Sequence, residues 1–203
     1  MLPDLSGIET ATLGRFLRVG FMAPSIQALL PDRRIFGPAL TVRLPGPDGS
    51  ALVEALSSAA PGEVIVIDRC GDLRHACFGA VAGHAARARG VAGVVIDGFV
   101  SDRAALEAIG LPVWCRGRSP LSTRLRNLAG EVGGLISCGG ATVSRGDIVL
   151  ADENGVLVLD PAEAARHAAT ARRLKQEEAE IIRRLEAGET LASVTACLAG
   201  TSV

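Results

Sequence analysis

The sequence predicts an α/β fold in which a parallel sheet carries a further layer of short strands. Three observations lead there. Short, wholly apolar runs alternate with Ala-rich helical stretches through the middle of the chain. From Gly133 onward the pattern breaks into short runs between closely spaced turn signals. After Asp160-Pro161 a long, charged, uninterrupted helical stretch begins.

The elements follow in order. Thr10 to Val19 predicts a helix with Thr10 or Thr12 as its N-cap. Pro31 to Gly37 is a turn-rich connector, and Ala39 to Leu44 has the composition of a strand. The turn Pro45-Gly46-Pro47-Asp48-Gly49 precedes a helix from Ser50 to Ala60. Val64-Ile65-Val66-Ile67-Asp68 is an apolar run ending in an acid, as a strand buried on both faces should be. A loop over Arg69 to Arg74 leads into an Ala-rich helix from His75 to Arg89, stopped by Gly90. Val91 to Ile96 repeats the strand, and Asp102 to Ile109 repeats the helix, with Gly110 as its C′ residue. Leu111 to Trp114 is a third strand. Right-handed crossovers then make these strands parallel.

In the next region Gly139-Gly140, Arg145-Gly146 and Glu153-Asn154-Gly155 separate ATV, DIVLA and VLVL, which read as a meander of short strands. Asp160 supplies an N-cap, Pro161 the first helical position and Glu163 an acid in the first turn of the last long helix, which Gly188 ends. That helix is charged nearly all round, so residues 161–203 are expected to form an arm that packs on a neighbouring subunit, with residues 1–160 as the domain proper.

Composition narrows the function. The chain is 48% hydrophobic and 21% charged, which suits a globular domain. Aromatics are 3%, with no Tyr and a single Trp, so Ala, Val, Leu and Ile must build the core. Net charge is −1 and the sequence pI about 6.3. Such a chain has neither the basic field nor the stacking platforms that nucleic acid requires. Five cysteines (Cys70, Cys77, Cys115, Cys138, Cys197) are widely spaced and form no C-x-x-C pair, as expected of reduced thiols in a cytoplasmic protein. The N-terminus MLPDLSGIET is not a signal peptide, and no apolar run is long enough for a membrane span.

Ligands of parallel α/β sheets gather at the carboxyl ends of the strands. Here those ends carry Asp68 to Arg74, Asp97 to Asp102 and Cys115 to Ser119. Asp102 supports two readings. It is placed to hold a hard cation, because Mg²⁺ is commonly bound by one carboxylate plus waters and substrate oxygens. It is equally placed to cap the helix behind it. Asp97, before Gly98, reads as a turn residue, and His75 as a surface histidine. The helix start near Phe78-Gly79-Ala80 offers backbone N–H groups to an anion. No P-loop, dinucleotide fingerprint or G-x-S-x-G elbow occurs.

The order of these pieces resembles one family, the RraA-like proteins, which includes 4-hydroxy-4-methyl-2-oxoglutarate aldolases and the regulator of ribonuclease activity A. The stretches that carry the resemblance are FGPALTV (Phe36 to Val42), PGEVIVID (Pro61 to Asp68) and ARGVAGVVIDG (Ala88 to Gly98). PVWCRG (Pro112 to Gly117) and GGATVSRGDIVLADENGVLVL (Gly139 to Leu159) complete the set, which spans nearly the whole chain.

The resemblance implies a swivelling α/β/β sandwich with a long C-terminal helix, assembled as trimers or hexamers. It implies an active site between subunits for a small-molecule substrate. There an aspartate binds Mg²⁺ or Mn²⁺, an adjacent arginine holds a pyruvyl carboxylate, and an earlier acid supports the metal through water, in the pattern D-x20-R-D. Carried onto this chain, the metal aspartate is Asp102. The arginine is replaced by Ser101, and the earlier acid by Ala80. Backbone amides over Gly79, Ala80, Val81 and Ala82 would meet the substrate. A glutamate of a neighbouring subunit, Glu177 or Glu178, would be the outer-shell group.

Arg74 is the expected substitute cation, since Arg103 should point to another side of its helix. Exchanging a bidentate arginine for a hydroxyl should cost on the order of 2–4 kcal/mol of carboxylate binding, roughly 30- to 1000-fold. The reading is therefore a divalent-metal-dependent lyase with an altered substrate site. The alternative is a non-catalytic oligomeric regulator resembling the ribonuclease regulator.

Overall fold

A computed structural model describes residue 5 and residues 7–199, the side chains of 196–199 excepted. The chain begins with helix α1 (Thr10–Gly14), strands β1 (Gln27–Ala28) and β2 (Ile35–Arg43), and helix α2 (Ser50–Ser58). Strands β3 (Val64–Asp68) and β4 (Ala76–Phe78) lead to helix α3 (Ala80–Ala88), then β5 (Gly93–Ile96) and β6 (Phe99–Val100). Helix α4 (Arg103–Ile109) is followed by β7 (Val113–Cys115), β8 (Gly117–Arg118) and β9 (Glu131–Val132). Strands β10 (Ile136–Cys138), β11 (Ala141–Val143), β12 (Ile148–Asp152) and β13 (Gly155–Leu159) precede helices α5 (Pro161–Glu186) and α6 (Leu191–Ala199).

The main sheet runs β1-β7-β5-β3-β2-β12-β13, with β9 added beside β2. Its centre, β2, β3, β5 and β7, is parallel, as the crossovers predict. Both flanks are antiparallel: β1 on β7, and β12 on β2 with β13 beyond it. The two edges then approach each other, for Met22 N–H donates to the Val156 carbonyl (2.9 Å) and Val158 N–H to the Gly20 carbonyl (2.9 Å). Gly20 must be glycine there. Its φ is +85°, and a Cβ would lie 2.3 Å from the Val158 carbonyl oxygen. The sheet is nearly closed.

Side-chain alternation sorts the core into layers. Leu40, Val42, Ile65, Ile67, Val94 and Ile96 face the helices, meeting Leu52 and Leu56 of α2, Ala86 of α3 and Leu106 of α4. The intervening Ala39, Val64, Val66, Val95 and Trp114 face the β10–β11 hairpin through Ile136, Cys138, Ala141 and Val143. Each fully buried aliphatic contributes about 1.5–3 kcal/mol relative to exposure. The result is an α/β/β arrangement.

Several expectations are corrected here. DIVLA and VLVL do not form the separate β-layer but extend the main sheet as β12 and β13, leaving only the β10–β11 hairpin as that layer. The helix expected from His75 starts at Ala80, because Ala76 to Phe78 is a strand paired with β6. Local Ala-richness favours helix, but Ala76 N–H and C=O are taken by Leu121 and Thr123 (2.7 and 3.0 Å), and all three side chains are buried. The first helix is short, and Thr10 does not cap it. Its hydroxyl donates to the buried Asp152 carboxylate (2.6 Å) instead.

The start of α5 is as expected. The Asp160 carboxylate accepts from Ala162 and Glu163 N–H (2.8 and 3.3 Å), with Pro161 at the first helical position. One face of this charged helix does bury, through Ala164, Ala168 and Ala171, against Leu13, Ile148, Leu150 and Leu159 of its own subunit.

Candidate active site

A cavity of about 860 Å³ opens between α2 and α3, floored by β4 and the segment around Thr123. Gly79, Ala80, Val81 and Ala82 line it together with Ser101 and Asp102, so the structure gathers six of the expected residues in one place.

Asp102 occupies the N-cap position of α4 but does not cap it. Its backbone is left-handed (φ 54°, ψ 41°), a conformation that costs on the order of 1 kcal/mol for a residue with a side chain. This turn sends the carboxylate away from its own helix, toward the start of α3. There Oδ2 accepts the Ala80 N–H (3.0 Å), one of the donors that a helix leaves without an internal partner. The Ser101 hydroxyl donates to the same oxygen (3.0 Å). Among the described residues no donor meets Oδ1.

Gly79 makes the arrangement possible. A Cβ there would fall 2.4 Å from Ser101 Oγ and 2.5 Å from Asp102 Oδ2. Its φ of −149° is open to any residue, so the requirement is space alone. Nothing in the sequence signals this glycine, because the colliding groups lie more than twenty residues away.

The other candidates lie elsewhere. Arg74 is exposed and does not line the cavity; its N–H donates to Asp72 and its carbonyl accepts from Ser119 Oγ (2.8 and 2.6 Å). The cavity's cation is Arg89, whose Nε and Nη2 both donate to the Ala59 carbonyl at the end of α2 (3.1 and 2.7 Å). Arg103 lines a different, smaller cleft with Arg116 and Arg118, in keeping with its expected direction. Glu177 pairs with Arg173 on the outer part of α5, while Glu178 lies 3.8 Å from Arg15. Neither lines the cavity within one subunit.

Asp97 is structural. It accepts from Arg116 Nε and from Gly139 N–H (2.8 Å), tying the β7–β8 connection to the β10–β11 turn. His75 is half-buried rather than a surface group, with Nδ1 2.8 Å from Asp72 Oδ2. The same Asp72 oxygen meets Arg69 (3.0 Å), a fully buried guanidinium that also donates to the carbonyls of Leu44 and Gly46 (2.5 and 2.6 Å). Gly98 is glycine because a Cβ would lie 2.5 Å from Arg69 Cγ. Cys70, Cys77, Cys115 and Cys138 are free, and burial pushes the Cys77 thiol up to about 11, where it is inert at neutral pH. Cys197 lies outside the described side chains.

The fold and this cavity can be set beside known proteins. The RraA-like profile (Aldolase/RraA) matches residues 10–158. The chain belongs to the RraA-like family. A Halalkalibacterium halodurans protein named as a putative 4-hydroxy-4-methyl-2-oxoglutarate aldolase is 35% identical over 138 residues, 68% of this chain and 65% of that protein. A structure of an uncharacterized Pseudomonas syringae protein superposes with a TM-score of 0.81 at 27% identity, over 94% of this chain and 90% of that one. A Thermus structure described as the RNA-processing inhibitor RraA gives 0.66 at 28% identity, over 74% of this chain and 91% of that one. Among the described residues no helix of this RraA-like chain is long and apolar enough to cross a membrane.

Proposed function

We propose that this RraA-like protein is a divalent-metal-dependent carbon–carbon lyase acting on a small keto-acid-like molecule, with Asp102 as the metal ligand. The observation that carries the reading is the half-occupied carboxylate. Ala80 N–H and Ser101 Oγ hold Oδ2, and Oδ1 is left for a ligand at the cavity.

The donors suit a hard ion. One carboxylate oxygen with a neighbouring hydroxyl, and room for waters and substrate oxygens, is a set that Mg²⁺ or Mn²⁺ accepts. When bound, such an ion supplies Lewis-acid polarisation of a carbonyl. The chain's own residues do the rest. Ser101 and the Ala80 amide fix the carboxylate rotamer. The first-turn N–H groups of Val81 and Ala82, which have no partner within the helix, would serve as donors to a carboxylate or enolate oxygen. The walls of the cavity along α2 and α3 are largely apolar. Arg74 is too far out of the cavity lining to replace the missing arginine in this conformation. A neighbouring subunit of a trimer or hexamer would supply Glu177 or Glu178.

The test is metal binding, followed by pyruvate release from oxaloacetate and from 4-hydroxy-4-methyl-2-oxoglutarate, for wild type and Asp102→Ala. Metal affinity unchanged in the variant would sink the proposal. Ser101→Arg combined with Ala80→Asp should raise pyruvate release, the new acid being welcome at a helix start.

Ala80 and Ser101 also favour a second reading, a non-catalytic oligomeric regulator, because both depart from the residues that the family resemblance implies at the aldolase site. That reading requires wild type to release no pyruvate with metal bound, and to retain a ribonuclease or helicase in pull-down.

A further inference from the structure

Three arms of the chain build the candidate site, and all three leave from one buried side chain. The first is the turn after β2, which carries Leu44 and Gly46 toward α2. The second is the loop through Asp72 and His75 into β4, which runs on to Gly79 and Ala80. The third starts at Gly98, just before β6, and runs on to Ser101 and Asp102.

Arg69, directly after β3, touches each arm. Its Nη1 donates to the Leu44 carbonyl (2.5 Å), and its Nη2 to the Gly46 carbonyl (2.6 Å) and Asp72 Oδ2 (3.0 Å). Asp72 passes the contact on. Its Oδ1 accepts Arg74 and His75 N–H (2.8 and 3.1 Å), and its Oδ2 lies 2.8 Å from His75 Nδ1. The aliphatic stem of Arg69 packs on Gly98, where a Cβ would lie 2.5 Å from Cγ and 3.4 Å from Cδ.

The two strands need such an anchor. β4 and β6 are only three and two residues long, and their register shifts between the pairs Ala76–Phe99 and Phe78–Val100. So short and irregular a ladder specifies its own register weakly. Yet just beyond it Ala80 N–H must meet Asp102 Oδ2 at 3.0 Å. His75 and Gly98 stand immediately before the two strands, and Gly79 and Ser101 immediately after them. A displacement at the Arg69 end of either strand therefore carries through to the Asp102 end.

Stability alone does not explain an arginine here. Its side chain is fully buried, and its Nε has no hydrogen-bond partner. An orphaned donor and a buried charge both cost stability, and an apolar side chain of similar volume would avoid them. What the planar fork adds is geometry, since it fixes several acceptors from different segments at once.

We infer that Arg69 is a positioning residue of the candidate site: by holding together the lead-in to α2 and the starts of β4 and β6, it sets the Ala80–Asp102 contact at their far ends. Its consequence for metal binding rests on the reading of Asp102 as the metal ligand. Every contact it invokes lies within one subunit.

The test compares Arg69→Met, Arg69→Lys and Gly98→Ala in the full chain. Mn²⁺ affinity is read by electron paramagnetic resonance, and amide hydrogen exchange by NMR. Affinity should fall about tenfold in Arg69→Met, the scale on which groups behind a metal ligand act. Arg69→Lys keeps the charge beside Asp72 and should stay within about threefold of wild type. Gly98→Ala displaces the stem without removing a donor and should also weaken binding about threefold. In Arg69→Met and Gly98→Ala the Ala80 amide should exchange faster while the amides of β3 keep their protection, a local change that a uniform loss of stability does not produce.

Arg69→Met that folds and keeps both Mn²⁺ affinity and Ala80 exchange within about twofold of wild type overturns the inference. So does faster exchange shared equally by Ala80 and β3, which makes Arg69 a stability residue only. If Arg69→Met does not fold, Gly98→Ala decides by the same two readings. Asp102→Ala separates the two claims. Mn²⁺ affinity unchanged in it sinks the metal reading, while Ala80 exchange in the Arg69 and Gly98 variants still decides the positioning.

Discussion

Two aspartates, Asp48 and Asp102, both accept backbone N–H, four groups in the first and one in the second, and they end in opposite conditions. Asp48 is buried with both oxygens occupied. Oδ1 accepts Ser50 N–H, Ser50 Oγ and Arg126 N–H, and Oδ2 accepts Leu128 and Ala129 N–H. It anchors the segment 126–129 to the start of α2. Asp102 is exposed and has donors on one oxygen only. A carboxylate saturated by the chain is a structural joint with nothing left to offer. One held firmly at a single oxygen is oriented and still has a lone pair for an ion.

The sharpest way to break this contrast is Asp102→Asn. The amide oxygen can keep the contact to Ala80 N–H, so the melting temperature should hardly move. Metal affinity should fall by at least about 100-fold, since among the described residues of one subunit no other acid lines the cavity. A variant that melts far below wild type would show that Asp102 is a joint like Asp48.

Asp48→Asn should do the reverse, lowering the melting temperature while leaving metal affinity near wild type. Hydrogen bonds from Ser50, then Leu128, hold the Asp48 carboxyl well below the usual carboxylate range. The sign follows from that direction. The folded state binds this proton less readily than the unfolded chain, so the stabilisation is complete above the unfolded pKa of about 4 and fades as pH falls below it. Thermal melts from pH 6 to pH 2 should show wild type losing stability more steeply than Asp48→Asn over the acidic end.

Gly79→Ala should have a smaller functional effect. Its backbone accepts alanine, so the protein should fold, but the new Cβ must push the Ser101 and Asp102 side chains off their positions. Metal affinity should drop about tenfold, the usual penalty for disturbing the group that orients a ligand. Titration of Mn²⁺ checks it. The smallest effect belongs to Asp160→Ala at the start of α5, about 1 kcal/mol of stability by chemical denaturation, with no change in metal affinity.

What the sequence determined by itself was whatever depends on near neighbours. The run Val64 to Asp68 is a strand because every residue is apolar up to its last acid. Gly110 closes α4 in a left-handed turn (φ 71°), and Asp160-Pro161 starts α5, all readable within a few residues. The motif order also pointed to the family and to Asp102 and Ser101 as a pair.

The tertiary structure decided what depends on partners far along the chain. Ala76 to Phe78 is a strand only because β6 and the segment 121–123 take its backbone groups. Arg69 is buried because the carbonyls of Leu44 and Gly46 and the Asp72 carboxylate converge on it. Asp102 looked like a cap for the helix behind it and instead serves the N-terminus of α3, twenty-two residues earlier. Helix propensity and capping act over one turn, whereas a carboxylate follows whichever free N–H groups the fold brings within 3 Å, and only packing decides whose those are.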